Sequence, residues 1–246
     1  MDTLALLILI VSVGYLISRT KKDVTEYEKF KELKSSAERI KIYRRWTISS
    51  FLQFGIFSSL SLLVLKQINV LWAPLPALRK VIDLSRVHID VGFLSGLTTA
   101  ILMVVTINIY INKKSRNAKS KTKHLVIGDI EELIPKNNQE RIWGSLLAIN
   151  AGFSEELFFR ALLPVLLYLS FGVPIAAIVV SNLVFGLVHY YQGTFGVLAT
   201  IFIGGVLMTI YLASGNILIP MLVHTAVDLA SLIIRPVIVE LLNRRT

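Results

Sequence analysis

The sequence predicts an all-helical, polytopic membrane protein: a bundle of about seven spans, with its N-terminus outside and its C-terminus inside. Three observations predict it. Hydrophobic residues fill 54% of the 246 positions and charged residues only 17%, against about 25% charged in a soluble domain. Runs such as Val91 to Ile111 and Gly193 to Ala213 contain no Asp, Glu, Lys or Arg, and about 20 such residues cross the roughly 30 Å hydrocarbon core. The net charge of +10 is unevenly placed: ten of the 26 Lys and Arg fall between Arg19 and Arg45 and eight between Lys113 and Arg141, whereas Asn69 to Asp90 holds three. Such clusters mark cytoplasmic loops, so the basic character reads as topology and no nucleic-acid partner is expected. The chain has no Cys, which excludes disulfides, thiol nucleophiles and thiolate metal sites.

The elements follow in order. Leu4 to Ile17 is apolar, follows Asp2, precedes Arg19, Lys21 and Lys22, and has no small-residue cleavage site after it, so it is expected to stay as the first span. Thr47 to Ile68 runs outward as the second span, and Val91 to Ile111 returns as the third to the basic residues from Lys113 to Lys123. Between the first two spans, Val24, Tyr27, Phe30, Leu33, Ala37, Ile40 and Tyr43 recur at helical steps among many charges. Residues 19–45 are therefore expected to form a basic amphipathic helix on the cytoplasmic membrane face, attracted to anionic lipid, with a solvated helical linker as the alternative.

Ile142 to Phe171 would be about 45 Å long as a helix, more than one crossing needs. Either it is one tilted helix with its first turns at the interface, or it breaks near Gly152 and adds an eighth span. Gly172 and Pro174 punctuate its end. Spans from Val173 to Tyr191, Thr194 to Ala213 and Asn216 to Ile234 follow, and Arg235, Arg244 and Arg245 keep the C-terminus inside. Gly144, Ala148 and Gly152 are small residues at four-residue steps, which let helices approach closely. The whole chain, 1–246, is expected to be one membrane domain.

A few polar side chains break the apolar C-terminal half: Glu155, Glu156, Arg160, Asn182, His189, His224 and Asp228. An ionisable group at mid-membrane costs roughly 2.5 to 3.5 kcal/mol even on the mildest scale, so each is a functional hypothesis. Glu156 and Arg160, four apart, share a helix face, while Glu155 is turned about 100° away. Arg160 is expected to neutralise Glu156 and leave Glu155 facing a cavity. His224 and Asp228 are also four apart, as are Phe185 and His189; Asn182 is expected to serve helix packing. His88 and His124 have no partner at a useful spacing and are assigned no role.

Two histidines and a free carboxylate from three helices would make a water-activating site. The carboxylate would act as general base and the imidazoles would orient water, stabilise an oxyanion or protonate a leaving amine. The same set, Glu155, His189 and His224, could hold a divalent metal such as zinc. No His-Glu-x-x-His helix is present, and both mechanisms stay open.

Glu155-Glu156-x-x-x-Arg160, Phe185-x-x-x-His189 and His224-x-x-x-Asp228 resemble the three ordered motifs of the CAAX protease and bacteriocin-processing (Abi) family of intramembrane proteases, over roughly Ile142 to Ile234. The last motif position is Asn or Asp in that family and Asp here. The resemblance implies peptide-bond hydrolysis within the membrane, with Glu155 and His189 activating water, His224 and Asp228 lining the site and stabilising the oxyanion, and Glu156 and Arg160 in support. It implies a membrane-associated peptide or protein as substrate and a lipid bilayer as partner, in the cell membrane of a bacterium. The alternative is a non-enzymatic bacteriocin self-immunity or scaffold protein that retains the motifs. A proton-coupled transporter is weaker, because no inverted repeat is visible.

Overall fold

The computed structural model describes residues 2–81 and 128–244, with Gly92, Ser95, Gly96, Thr99 and Thr106 between them. The expected third span, apart from those five residues, and the basic loop from Lys113 to Lys123, with His88 and His124, lie outside the described residues. Every regular element among the described residues is helical. Helix α1 is Thr3–Lys31, with the Asp2 carboxylate accepting from the N–H groups of Leu4 and Ala5 to cap it. Helix α2, Ser36–Val64, runs unbroken through a π-helical turn at Phe51–Ile56. Helix α3 joins Asn138–Glu156, a π turn at Leu157–Leu162, and Leu163–Phe171. Helix α4 is Pro174–Val188 and α5 is Gly193–Ser214. Helix α6 joins Leu218–Leu229, a third π turn at Ala230–Ile234, and Arg235–Arg244.

The long apolar segment is therefore one helix. At Gly152 it does not break; it meets α6 there, since a Cβ on Gly152 would lie 2.1 Å from Thr225 Oγ1 and 2.7 Å from the Thr225 backbone nitrogen. It ends where Gly172 takes a left-handed φ of 71°, and Pro174 starts the next helix. The middle of α3 is the centre of the bundle: every residue from Glu156 to Leu166 is buried, against α1, α2, α4 and α6. The outer helices expose their apolar faces, as Ile10 and Val11 do on α1 and Phe195 and Phe202 on α5. That is the surface a bilayer solvates and water does not.

Thr3–Lys31, Ser36–Val64, Tyr190–Ser214 and Leu218–Leu241 are long and apolar enough to cross a membrane. Helix α3 has the length but carries Glu155, Glu156 and Arg160 at its middle. Helix α4 is shorter than the expected Val173 to Tyr191 span. Its 15 residues reach about 22 Å, less than the hydrocarbon core, and place His189 at its C-terminal end.

Residues 19–45 do not form one surface helix. Helix α1 continues to Lys31, α2 starts at Ser36, and the amphipathic positions are divided between two adjoining helix ends. Their apolar side chains face inward: Tyr27, Phe30 and Tyr43 are buried in one cluster with Leu133. The periodicity was helical in both halves, but tertiary packing of the aromatic face between helices displaced a flat arrangement on the membrane.

Candidate active site

Three helix segments deliver the polar side chains. Glu155, Glu156 and Arg160 flank the start of the π turn of α3. That turn adds a residue to the local repeat, a distortion that recurs at functional sites. His189 follows the last turn of α4, where the final carbonyls lack helical partners. Its Nδ1 lies 2.7 Å from the Phe185 carbonyl oxygen. A carbonyl only accepts, so Nδ1 carries the proton and Nε2 is left with its lone pair. That Nε2 is 3.7 Å from Glu155 Oε2. His224, on α6, donates from Nδ1 to Glu156 Oε1 at 2.8 Å, and its Nε2 is 3.6 Å from Asp228 Oδ2.

Glu155, His189, His224 and Asp228 line one cavity of about 340 Å³, together with Phe185 and Tyr191. Glu156 and Arg160 stand behind it, both with no exposed surface. Arg160 Nε is 3.1 Å from Glu156 Oε2, out of line for a hydrogen bond, and its guanidinium lies 4.2 Å from the centre of the Phe185 ring. The ring edges of His189 and His224 approach the same phenylalanine, at 4.9 and 6.0 Å between centroids. Phe185 thus packs against the cation and both imidazoles. Asn182 donates from Nδ2 to the Ile201 carbonyl at 3.0 Å and ties α4 to α5.

The i,i+4 spacings place Glu156 with Arg160 and His224 with Asp228 as expected, and turn Glu155 toward the cavity. What spacing did not reveal is the bond from His224 to Glu156, which joins two motifs 68 positions apart. Nor did it reveal Arg19 and Asp23, which line the same cavity from α1. The sequence shows Arg19 only as one of the basic residues after the first span, where it counts as topology.

Two imidazole nitrogens and two carboxylates are a donor set that a divalent ion such as zinc accepts. Among the described residues, however, no three His, Asp or Glu side chains gather closely enough to hold one.

The apolar outer faces, the long helices and the enclosed polar centre define an integral membrane protein. Residues 137–230, which hold all three motifs, match the family model described as type II CAAX prenyl endopeptidase Rce1-like. This segment is accordingly similar to a protease family, the one its motifs resemble. No curated protein and no solved structure matches the chain.

Proposed function

We propose that the protein is an intramembrane endopeptidase that hydrolyses a peptide bond in a membrane-associated peptide or protein, with water activated by Glu155 and His189. One observation carries this reading. Glu155 Oε2 and His189 Nε2 lie 3.7 Å apart beside the cavity, Oε2 is buried without a hydrogen-bond partner among the described residues, and in the neutral ring the bond to the Phe185 carbonyl leaves that imidazole nitrogen as an acceptor. A carboxylate oxygen and a lone-pair nitrogen cannot bond each other, but one water that enters as the Glu155 side chain turns to the cavity can donate a hydrogen to each. Such a water keeps an oxygen lone pair for attack on a carbonyl.

Glu155 takes the proton as the water oxygen bonds to the peptide carbonyl carbon. Negative charge collects on the carbonyl oxygen, and His224 is placed to donate to it. Its Nδ1 is committed to Glu156, while Nε2 lies 3.6 Å from Asp228, too far for a hydrogen bond, so an N–H there can turn to the oxyanion. The proton held by Glu155 then passes to the amine nitrogen as the C–N bond breaks, giving one carboxylic and one amino product. Glu156, backed by Arg160, fixes the orientation of His224.

In the proposed topology seven spans run with the N-terminus outside in a bacterial cell membrane, so the Lys31, Ser36 and Asn138 ends face the cytoplasm. Reporter fusions that place the Asn69 to Asp90 loop in the cytoplasm would overturn it. The reaction is tested by following cleavage of peptide precursors, or protection against a bacteriocin, in membranes carrying Glu155→Ala, His189→Ala or His224→Ala. Loss of cleavage in each is expected; full phenotype from all three stable variants would remove the protease reading.

A further inference from the structure

A second wall of the cavity is also charged. Arg19 and Asp23, one turn apart on α1, both line it, outside the segment that matches the protease family. Arg19 Nε donates to the two carboxylate oxygens of Asp23 at 2.6 and 2.8 Å. Its Nη1 donates to the Ser49 hydroxyl at 2.6 Å, to the Tyr15 hydroxyl at 3.3 Å and to the Gln53 side-chain carbonyl. The pair shares its cavity with Glu155 and His189. Tyr27, one turn beyond Asp23, meets the Tyr191 ring edge-on at 5.3 Å, and Tyr191 lies 6.0 Å from the His189 ring.

Nε is taken by Asp23 within α1, and Nη1 by the attachment of α1 to Ser49 and Gln53 of α2. Nη2 has no hydrogen bond among the described residues and is not among the atoms sealed from solvent. Replacing a largely buried ion pair by well-packed apolar side chains is often neutral or stabilising, so attachment alone does not require the pair, and positive-inside topology requires a basic residue here but not its pairing with Asp23.

We propose that Arg19 and Asp23 form a main-chain subsite: Arg19 Nη2 donates to a carbonyl, and Asp23 accepts from an N–H, of an extended peptide lying across Glu155 and His189. The substrate class rests on the endopeptidase reading above. Arg19 and Asp23 hold a donor and an acceptor side by side in one ion pair, and each residue of an extended peptide turns its N–H and its C=O to the same side. An adjoining donor and acceptor hold a main chain whatever its side chains, as an added strand is held at a sheet edge.

The test uses the full chain with Glu155→Gln in lipid nanodiscs and a fluorescein-labelled heptapeptide of alternating leucine and alanine, read by fluorescence anisotropy. Saturable binding is expected, weakened about tenfold or more by Arg19→Gln and by N-methylation of alternate peptide nitrogens. Arg19→Lys keeps the charge beside Asp23 but loses Nη2. With an unchanged melting temperature it should also bind more weakly, which separates the subsite from a folding defect. In the active enzyme, Arg19→Lys should raise KM and leave kcat nearly unchanged. Equal affinity in the Arg19 variants, no saturable binding at all, or a loss of kcat at constant KM would each overturn the proposal. Binding that obeys these expectations in a protein that cleaves no peptide would remove the endopeptidase reading and keep the subsite.

Discussion

Arg39 and Arg160 are both fully buried and both face a glutamate of α3, yet their surroundings differ. Arg39 donates from Nε to Glu140 at 3.0 Å and from Nη2 to the Tyr43 hydroxyl and the carbonyls of Glu132 and Ile134. Its guanidinium lies 4.3 Å from the centre of the Phe30 ring. Glu140 is equally well supplied, accepting from the Lys136 N–H and from Asn137 Nδ2. Arg160 has one out-of-line contact with Glu156 and an aromatic face, and none of its three nitrogens makes a hydrogen bond among the described residues. The well-directed bond of Glu156 goes to His224 instead. The Arg39 cluster secures a chain crossing. The Arg160 cluster leaves all three guanidinium nitrogens and Glu156 Oε2 without a hydrogen bond among the described residues, whereas the Arg39 cluster leaves only Nη1, and the larger cost is the kind that functional sites carry.

The largest expected effect separates these regions by activity. Glu155→Gln should lower cleavage by about 10² to 10⁴, the usual contribution of a general base, with the melting temperature unchanged because no hydrogen bond of Glu155 Oε2 is lost. A purified, folded variant that cleaves normally would separate Glu155 from the chemistry.

Arg39→Ala should act on stability instead, costing about 3 to 5 kcal/mol, as removal of one partner from a buried pair does. The variant also strands two carbonyls and leaves the Tyr43 hydroxyl only its own donation to the Leu133 carbonyl. The double variant Glu156→Gln with Arg160→Met should leave stability within about 1 kcal/mol or increase it, yet lower cleavage because His224 loses its carboxylate partner. Thermal melting and peptide cleavage measured on both variants decide the comparison. Equal stability losses would make the two clusters the same kind of structure.

These contrasts explain which parts were legible in the sequence. Gly172 with Pro174, and the four-residue steps from Glu156 to Arg160 and from His224 to Asp228, act locally; helical geometry alone turns them into a boundary and shared faces. The break between Lys31 and Ser36 depends on burial of Tyr27, Phe30 and Tyr43 around Leu133, a partner some 90 positions away that no periodicity contains. The bond from His224 to Glu156 depends on how closely α3 and α6 cross at Gly152, and the cavity role of Arg19 depends on where α1 packs. Each is a property of tertiary packing.

A smaller effect tests that crossing. A methyl group at Gly152 meets Thr225 backbone, which cannot rotate away, so Gly152→Ala should force the helices apart and cost about 1 to 3 kcal/mol. Cleavage should fall by more than stability does, because the shift falls one turn from Glu156 and adjoins His224. Pairing Gly152→Ala with Thr225→Gly should recover little, since the backbone nitrogen still lies 2.7 Å from the added carbon. Full recovery would place the obstruction in the threonine side chain alone.

The smallest expected effect lies at the same end of the bundle as Arg39 but at the surface. Lys31 Nζ bridges Glu28 at 2.6 Å and Asp129 at 2.9 Å, with more than half of the Asp129 side chain exposed. Solvent and salt screen such pairs, so Lys31→Ala should change stability by only about 0 to 1 kcal/mol. The position of this segment does not depend on the ion pair, because the Asp129 N–H donates to the Gln192 carbonyl at 2.8 Å. The Arg39 bonds to the Glu132 and Ile134 carbonyls hold it a few residues later. Melting curves of Lys31→Ala and Arg39→Ala at low and high salt provide the check: the first should converge on the wild type as salt rises, and the second should stay destabilised, since its charges are sealed from counterions. A salt-dependent loss in Arg39→Ala would move that cluster to the surface class and remove the contrast with Arg160.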